Sequence, residues 1–513
     1  MTGAEILVKT AITAGIEVCF TNPGTTEMPL VCAFDSKEGI RPHLGLFEGC
    51  CTGAADGYGR MADKPAMTLL HLGPGLGNGI ANLHNAAKGG TPIVNVIGEH
   101  ATWHRAVNAP LTMDIEALAE PVSEWQRTCS STDALSQDTA DAIAAASAGQ
   151  IATLIVPSDI QWSECTDPGI RQPIISGATL DTESINHAAE SLLTRRKSAP
   201  ILGGWALRKK GLLAAARIKA ATGCDLLSER APARIERGMG IPATEVIPYF
   251  PRQALELLSN YETVVLAGSD EPITFFGWQG YPSRLLNDTQ HIIRIKADSK
   301  SLPQALGDLA DALDAPAAPG GGIADIDRPE IPSGKLTANH AGMILAALQP
   351  EDAIVVNESV TSGAAYLPLA VSAPPHTMMA LPGGAIGYGM PCAVGAAIAC
   401  PERPVINFQA DGSAMYTLQA LWMQARESLN ITTLICANRS YNILKIEFAR
   451  ADITTPGPNA RALTDLGNPD IDWVQISQGM GVPAVSVDRC EDLAKELKKA
   501  LEEPGPHLIE MLI

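Results

Sequence analysis

The run Val405-Ile406-Asn407-Phe408-Gln409-Ala410-Asp411-Gly412-Ser413 decides the fold, together with Thr432-Thr433-Leu434-Ile435-Cys436-Ala437-Asn438-Arg439-Ser440 downstream. Each is a short apolar stretch that ends in polar residues, the pattern of a buried strand stopping at the edge of a parallel sheet. Gly412 opens a turn into a helical pattern from Tyr416 to Arg426, and Asn438 follows Asp411 by 27 positions. A strand–helix–strand crossover of that length returns the chain to the same carboxyl edge. Asp411 and Asn438 are therefore expected side by side above the sheet, where α/β proteins bind ligands. One carboxylate, one amide oxygen and the Ser440 carbonyl make an oxygen-only set that suits Mg²⁺, whose other ligands are water and phosphate oxygens. The Gly412 and Ser413 amides, at a helix start, would face the same phosphate.

Outward from that unit, each third of the chain alternates short apolar runs with helical patterns, as parallel α/β sheets require. Strands are predicted at Glu17–Phe20, His43–Phe47, Ala66–His71, Ile93–Ile97 and Ala152–Val156, then at Ala199–Leu202 and Thr263–Ala267. The last third adds Ala353–Asn357, Val405–Gln409, Thr432–Cys436 and His507–Leu512. Two Pro/Gly-rich segments, Cys165 to Leu180 (with Pro168, Gly169, Pro173 and Gly177) and Asp314 to Lys335 (with Gly320 to Gly322), read as linkers. They delimit domains at 1–165, 180–314 and 336–513. A constant offset pairs Lys64-Pro65 with Arg403-Pro404 and Gly73 with Gly412, which marks the outer domains as distant copies of one unit.

Composition excludes several classes. A net charge of −19 argues against a nucleic-acid or anionic-membrane surface. No stretch approaches the roughly 20 apolar residues of a membrane span. Thr2 and Glu5 have capping-box spacing and open an amphipathic helix closed by Gly15, which is not a signal-peptide pattern. The 11 cysteines are scattered without a CxxC pair, so reduced thiols and a cytoplasmic protein are expected.

Three further motifs carry chemistry. Phe47-Glu48-Gly49, running on through Gly53-Ala54-Ala55-Asp56-Gly57-Tyr58, sets a carboxylate at the start of a helix of very small residues; alone it would be a helix-capping glutamate. Pro382-Gly383-Gly384-Ala385-Ile386-Gly387 lets backbone approach a ring closely, with one apolar wedge. Asn22-Pro23-Gly24-Thr25-Thr26-Glu27 follows the first strand. His71 ends another, before Gly73-Pro74-Gly75-Leu76-Gly77-Asn78. That last run fails the GxGxxG dinucleotide fingerprint, because position 78 is Asn and position 80 is Ile. A lone strand-end histidine is more often structural than catalytic.

Together these motifs resemble the thiamine diphosphate-dependent enzymes, in the branch that holds acetolactate synthase large-subunit homologues and benzoylformate decarboxylase. Ala410 and Ala437 stand where that family usually has Gly and Asn. The resemblance implies three domains: two related, doubly wound parallel-sheet domains for pyrimidine and diphosphate, flanking a central Rossmann-like α/β domain. It implies thiamine diphosphate and Mg²⁺ as cofactors, with Asp411, Asn438 and Ser440 on the metal. Glu48 would meet the aminopyrimidine, the Gly384 carbonyl would face the same ring, and Ile386 would bend the cofactor. Glu358, Thr361, Gly412, Ser413 and Tyr441 would support the diphosphate side, while His71 and Thr25 would handle substrate.

The central domain shows no flavin signature. Pro110-Leu111-Thr112 replaces the Phe-Gln-Glu of true synthases, and no histidine stands near Phe276-Gly277, where benzoylformate decarboxylase has its second one. The resulting expectation is decarboxylation of a 2-oxo acid with capture by an aldehyde or ketone acceptor, in a homodimer or homotetramer with sites shared between chains. Simple decarboxylation and a non-catalytic cofactor-binding homologue are the alternatives.

Overall fold

The computed structural model describes residues 1–36, 38–166, 169–175, 177, 179–194, 197–319, 323, 325 and 327–513. Pro168 and Gly320 to Gly322 of the predicted linkers lie outside them. Strands run in chain order as β1 (Val18–Asn22), β2 (Arg41–Leu44), β3 (Ala66–His71), β4 (Ile93–Glu99), β5 (Trp125–Thr128) and β6 (Ile151–Pro157). Next come β7 (Ser198–Leu202), β8 (Leu227–Ser228), β9 (Ile235–Arg237), β10 (Glu245–Val246), β11 (Thr263–Ala267) and β12 (His291–Arg294). The last are β13 (Ile354–Glu358), β14 (His376–Met379), β15 (Val405–Ala410), β16 (Ile431–Ala437), β17 (Ala484–Val487) and β18 (His507–Leu512).

The chain divides into two compact units. The first comprises Met1–Ile175, Pro329–Leu367 and Gly383–Ile513; the second comprises Ser176–Arg328 and Pro368–Pro382. The first unit contains a parallel sheet ordered β2-β1-β3-β4-β6-β5, and strands of its later part run in the order β13-β15-β16-β18-β17. The two orders correspond strand for strand from β1 and β13 onward, so the sequence offset reflects a repeated topology. Both sheets are covered on both faces, which is why every residue of β4 and β16 is buried and neither strand alternates between buried and exposed positions. In the second unit a parallel sheet is ordered β10-β8-β7-β11-β12, and β14 pairs antiparallel with β9.

Two differences from the sequence reading have physical causes. The strand expected at His43–Phe47 lies earlier: β2 spans Arg41–Leu44 and so shares only His43 and Leu44 with it, and Phe47 is the extended residue that precedes the helix Glu48–Ala62. The helical pattern from Tyr416 to Arg426 is also broken. A short turn of helix spans Asp411–Ala414, and the longer helix begins only at Ala420. Thr417 turns its hydroxyl to the Gly387 carbonyl at 2.8 Å, and a long-range tie of that kind is invisible to local periodicity.

The repeated helices meet at their glycines. Glu48–Ala62 packs along Gly389–Ala399. A Cβ at Gly57 would overlap the Cys392 backbone, and one at Gly395 would overlap the Ala54 carbonyl and lie 2.5 Å from the Tyr58 amide nitrogen. Backbone-to-backbone approach this close is possible only without side chains. Asp56 and Arg60, both buried, form a bidentate pair inside the helix Glu48–Ala62, and the Thr91 hydroxyl donates to Asp56 at 2.7 Å.

Candidate functional site

β2 ends shortly before Glu48, which starts its helix at the carboxyl edge of the first sheet and is 8% exposed. The Asn78 amide donates to Glu48 Oε2 at 2.9 Å. Asn78, the residue that broke the dinucleotide fingerprint, thus aims the carboxylate. It lies on the helix Leu72–Lys88, which continues as a scaffold. Asn82 Nδ2 reaches both the Gly49 carbonyl (2.8 Å) and the Gly387 carbonyl (3.2 Å). His84 Nε2 lies 3.0 Å from the Gly383 carbonyl. Asn85 donates to the Ala385 carbonyl at 2.8 Å and accepts from the Ala385 amide at 3.2 Å.

The loop Gly383–Gly387 is therefore held from one side by three side chains of a single helix. Gly384 (φ +75°) and Gly387 (φ +97°) occupy the left-handed region that this path needs. Glu358 holds the other side. Its carboxylate, 3% exposed, accepts from the amides of Gly387 (2.7 Å), Tyr388 (3.2 Å) and Gly389 (2.7 Å) and from Gln409 Nε2 (2.9 Å). Burial pushes this carboxyl up from its ordinary range, and the four donors oppose that. Glu358, expected near the diphosphate, shapes the glycine loop through these bonds. Thr361 accepts a long 3.4 Å bond from Asn442, and Ile386 is half-buried on the loop.

The pair predicted at the second sheet does come together. Ala410 and Cys436 are register partners on β15 and β16, so the residues after them leave the sheet at one edge. Asp411, 3% exposed, accepts from the Gly412 amide (2.8 Å) with one oxygen and from the Arg439 amide (2.7 Å) with the other. Burial raises its carboxyl above the ordinary range against the pull of these amides. Asn438 Oδ1 accepts from the Ser440 amide at 2.9 Å, and the Ser440 carbonyl accepts from Asn442 at 2.9 Å.

Each of these oxygens holds one hydrogen bond and keeps a lone pair, which a cation can use. No group of three or more His, Cys, Asp or Glu able to hold a metal occurs among the described residues. An ion at Asp411 would thus need amide, carbonyl, water and phosphate oxygens, as Mg²⁺ does. The Gly412 amide, expected to face a phosphate, here donates to Asp411. Ser413 turns its hydroxyl inward to the Ala410 carbonyl at 3.2 Å. Tyr441 lies over Gly412, where a Cβ would come 2.5 Å from its ring, and burial raises its phenol. Ala410, at φ −94° and ψ 148°, adopts an ordinary extended conformation, so a methyl is tolerated where the family has glycine.

At the first sheet's edge His71 is paired in register with Gly98, and its Nδ1 lies 2.8 Å from Glu27 Oε2. Thr25 is exposed. The hydroxyl that reaches His71 Nδ1, at 3.2 Å, belongs to Thr26. Sequence reasoning missed Glu27, Asn82, His84 and Asn85. The available signal was polarity: Asn82 and Asn85 recur at helical spacing yet are 3% and 0% exposed, and buried amides must find partners.

Comparison with known proteins finds relatives along the whole chain. Residues 1–118 match the family model for the thiamine pyrophosphate enzyme N-terminal TPP binding domain, and residues 359–511 match the C-terminal TPP binding domain. The chain is 46% identical over 517 residues to a Mycobacterium tuberculosis protein named "Putative acetolactate synthase large subunit IlvX", covering 100% of this chain and 99% of that one. It is 28% identical over 536 residues to benzoylformate decarboxylase of Pseudomonas aeruginosa, covering 97% and 96%. The fold matches a solved thiamine diphosphate-dependent 4-hydroxybenzoylformate decarboxylase of Rhodococcus jostii RHA1 with a TM-score of 0.87, at 23% identity, over 100% and 99% of the two chains.

Proposed function

The chain belongs to the thiamine pyrophosphate-dependent enzymes, and from that premise we propose that it cleaves and forms carbon–carbon bonds beside the carbonyl of a 2-oxo acid, by decarboxylation followed by transfer to an aldehyde or ketone acceptor. One observation carries the reading: a single helix, Leu72–Lys88, fixes both the Glu48 carboxylate, through Asn78, and the Gly383–Gly387 loop, through Asn82, His84 and Asn85. In this reading the Glu48 carboxylate and the Gly384 carbonyl are the groups that would meet an aminopyrimidine. When bound, thiamine diphosphate supplies the electron sink that stabilises charge on the substrate carbon.

The protein's own residues then have separate tasks. Glu48 would share a proton with the cofactor ring, and Asn78 keeps the carboxylate aimed. Asp411, Asn438 and the Ser440 carbonyl would hold Mg²⁺. His71 moves protons at the substrate. Simple decarboxylation is the second reading, and the observation in its favour is the rigid mounting of His71, which suits delivery of a proton to carbon. The assembly we propose is a homodimer or homotetramer. Because Asn82 bridges Gly49 and Gly387 within one chain, light scattering must test the assembly separately from activity.

The test is a panel of 2-oxo acids with thiamine diphosphate and Mg²⁺, with and without acceptor aldehydes, beside Glu48→Gln. CO₂ release that disappears in the variant supports the reading, and an acyloin product assigns transfer. Failure of calorimetry to detect thiamine diphosphate binding would refute it.

A further inference from the structure

Glu27, a carboxylate at the first sheet's edge, has no part in the chemistry proposed so far, and it is completely buried at 0% exposure. Burying a charge costs several kcal/mol unless hydrogen bonds replace its water. Three donors do so here. Oε2 accepts from the Gly24 amide at 2.8 Å and faces His71 Nδ1 at 2.8 Å, while Oε1 accepts from the Thr26 hydroxyl at 2.5 Å. The surrounding backbone is shaped to the pair. A Cβ at Gly98 would overlap Glu27 Oε1, and a Cβ at Gly24 would overlap the His71 ring. Two glycines at the ends of two different segments thus clear space for one carboxylate and one imidazole.

Counting protons fixes the imidazole. Thr26 has a single hydroxyl proton, and its 2.5 Å bond gives that proton to Glu27. Toward His71 Nδ1, 3.2 Å away, the Thr26 oxygen can therefore only accept. The carboxylate likewise can only accept. Nδ1 meets two acceptors and must carry hydrogen.

We infer that Glu27 is a positioning residue that locks His71 in the Nδ1–H form, so that Nε2 is the nitrogen presented for proton transfer. This rests on the reading of the site given above, because it assigns a purpose to His71 there. The His71 side chain keeps 23% exposure while its Nδ1 side is enclosed by Glu27, Thr26 and Gly24. With Nδ1 committed, a neutral ring offers a lone pair at Nε2 and a protonated ring offers an acid there. The same nitrogen serves both directions of transfer, without a ring flip.

Glu27→Gln tests the lock at nearly constant shape. A glutamine has one oxygen for three donors. With its oxygen in the Oε2 place it still accepts from Nδ1–H and from the Gly24 amide, and its NH₂ displaces the Thr26 hydroxyl proton from the Oε1 place. In the other orientation the NH₂ itself faces Nδ1 and the Gly24 amide. The second orientation sets a donor against Nδ1, so that part of the neutral ring population moves to Nε2–H.

The experiment is ¹⁵N NMR of histidine-labelled holoenzyme, with His71 assigned by difference from His71→Asn. Wild-type protein is expected to show neutral His71 protonated at Nδ1, and Glu27→Gln a shift of population to Nε2–H. An Nε2–H wild-type ring would overturn the inference outright, with no variant needed. Where a 2-oxo acid substrate has been identified, Glu27→Gln should lower kcat by ~10²-fold or more while thiamine diphosphate affinity stays within about twofold. Unchanged kcat would remove the positioning role. The tautomer is read without substrate, so a failed substrate panel and a failed lock are separate results.

Discussion

Gly395→Ala should damage both stability and activity, because it acts on the contact that brings the two repeated helices together. The added Cβ would overlap the Ala54 carbonyl and sit 2.5 Å from the Tyr58 nitrogen. An ordinary carbon contact is roughly 3.5 Å, so the helix Gly389–Ala399 must withdraw from Glu48–Ala62 by at least about 1 Å. Both partners are backbone atoms inside helices and cannot rotate away. Overpacking of a rigid core costs about 1–3 kcal/mol, and the upper end applies here. The first helix begins with Glu48, and the second follows directly on the Gly383–Gly387 loop. Misplacement by about 1 Å therefore falls between the two halves of the proposed pyrimidine site, where ~10²-fold in rate is a reasonable expectation.

The assay pairs urea unfolding with calorimetric titration of thiamine diphosphate, using Gly307→Ala as control. Gly307 lies inside the helix Leu302–Ala312, and a methyl added there would meet nothing within 4 Å, so alanine should stabilise by up to about 1 kcal/mol. If Gly395→Ala unfolded and bound cofactor like wild type, the helix contact described above would be wrong.

Three other outcomes are expected. Asn85→Ala removes the anchor of Ala385 and leaves buried groups unpaired, at a cost of about 2–4 kcal/mol by urea unfolding and with weaker cofactor binding; wild-type affinity would show the loop to be held by other means. Asp411→Asn should weaken thiamine diphosphate binding by roughly 10–100-fold at fixed Mg²⁺ and make it insensitive to chelator, as calorimetry with and without EDTA will read. Glu229, in the second unit, is pushed up to about 7, first by burial, against the pull of the Gly204 amide. A carboxyl raised in the fold lends stability that is full below its unfolded value and is lost as pH rises through about 7. Wild-type protein should therefore melt lower at pH 8 than at pH 6, and Glu229→Gln should lessen that drop; an equal drop in both would exclude Glu229 as its source.

Much of this protein was decided locally and so could be read in the sequence. Largely apolar runs gave β3, β11 and β18 with their boundaries, because a strand to be buried on both faces must carry that apolar character along its own length. The crossover from Asp411 to Asn438 placed both at one edge, since parallel strands joined by a helix have no other geometry open to them. The repeat survived as matching strand orders. The tertiary structure decided the partners. Asn85 meets Ala385 across 300 positions, and Glu358 meets Gly387 across 29; no periodicity within either segment names the other. Nothing in the local sequence sets Glu27 apart beside two threonines, and the resemblance points to Thr25, not Thr26. Which of them faces His71 depends on how a short turn stacks against the end of β3. A strand pattern says that His71 stops at an edge, but only packing determines which nitrogen is left to do chemistry.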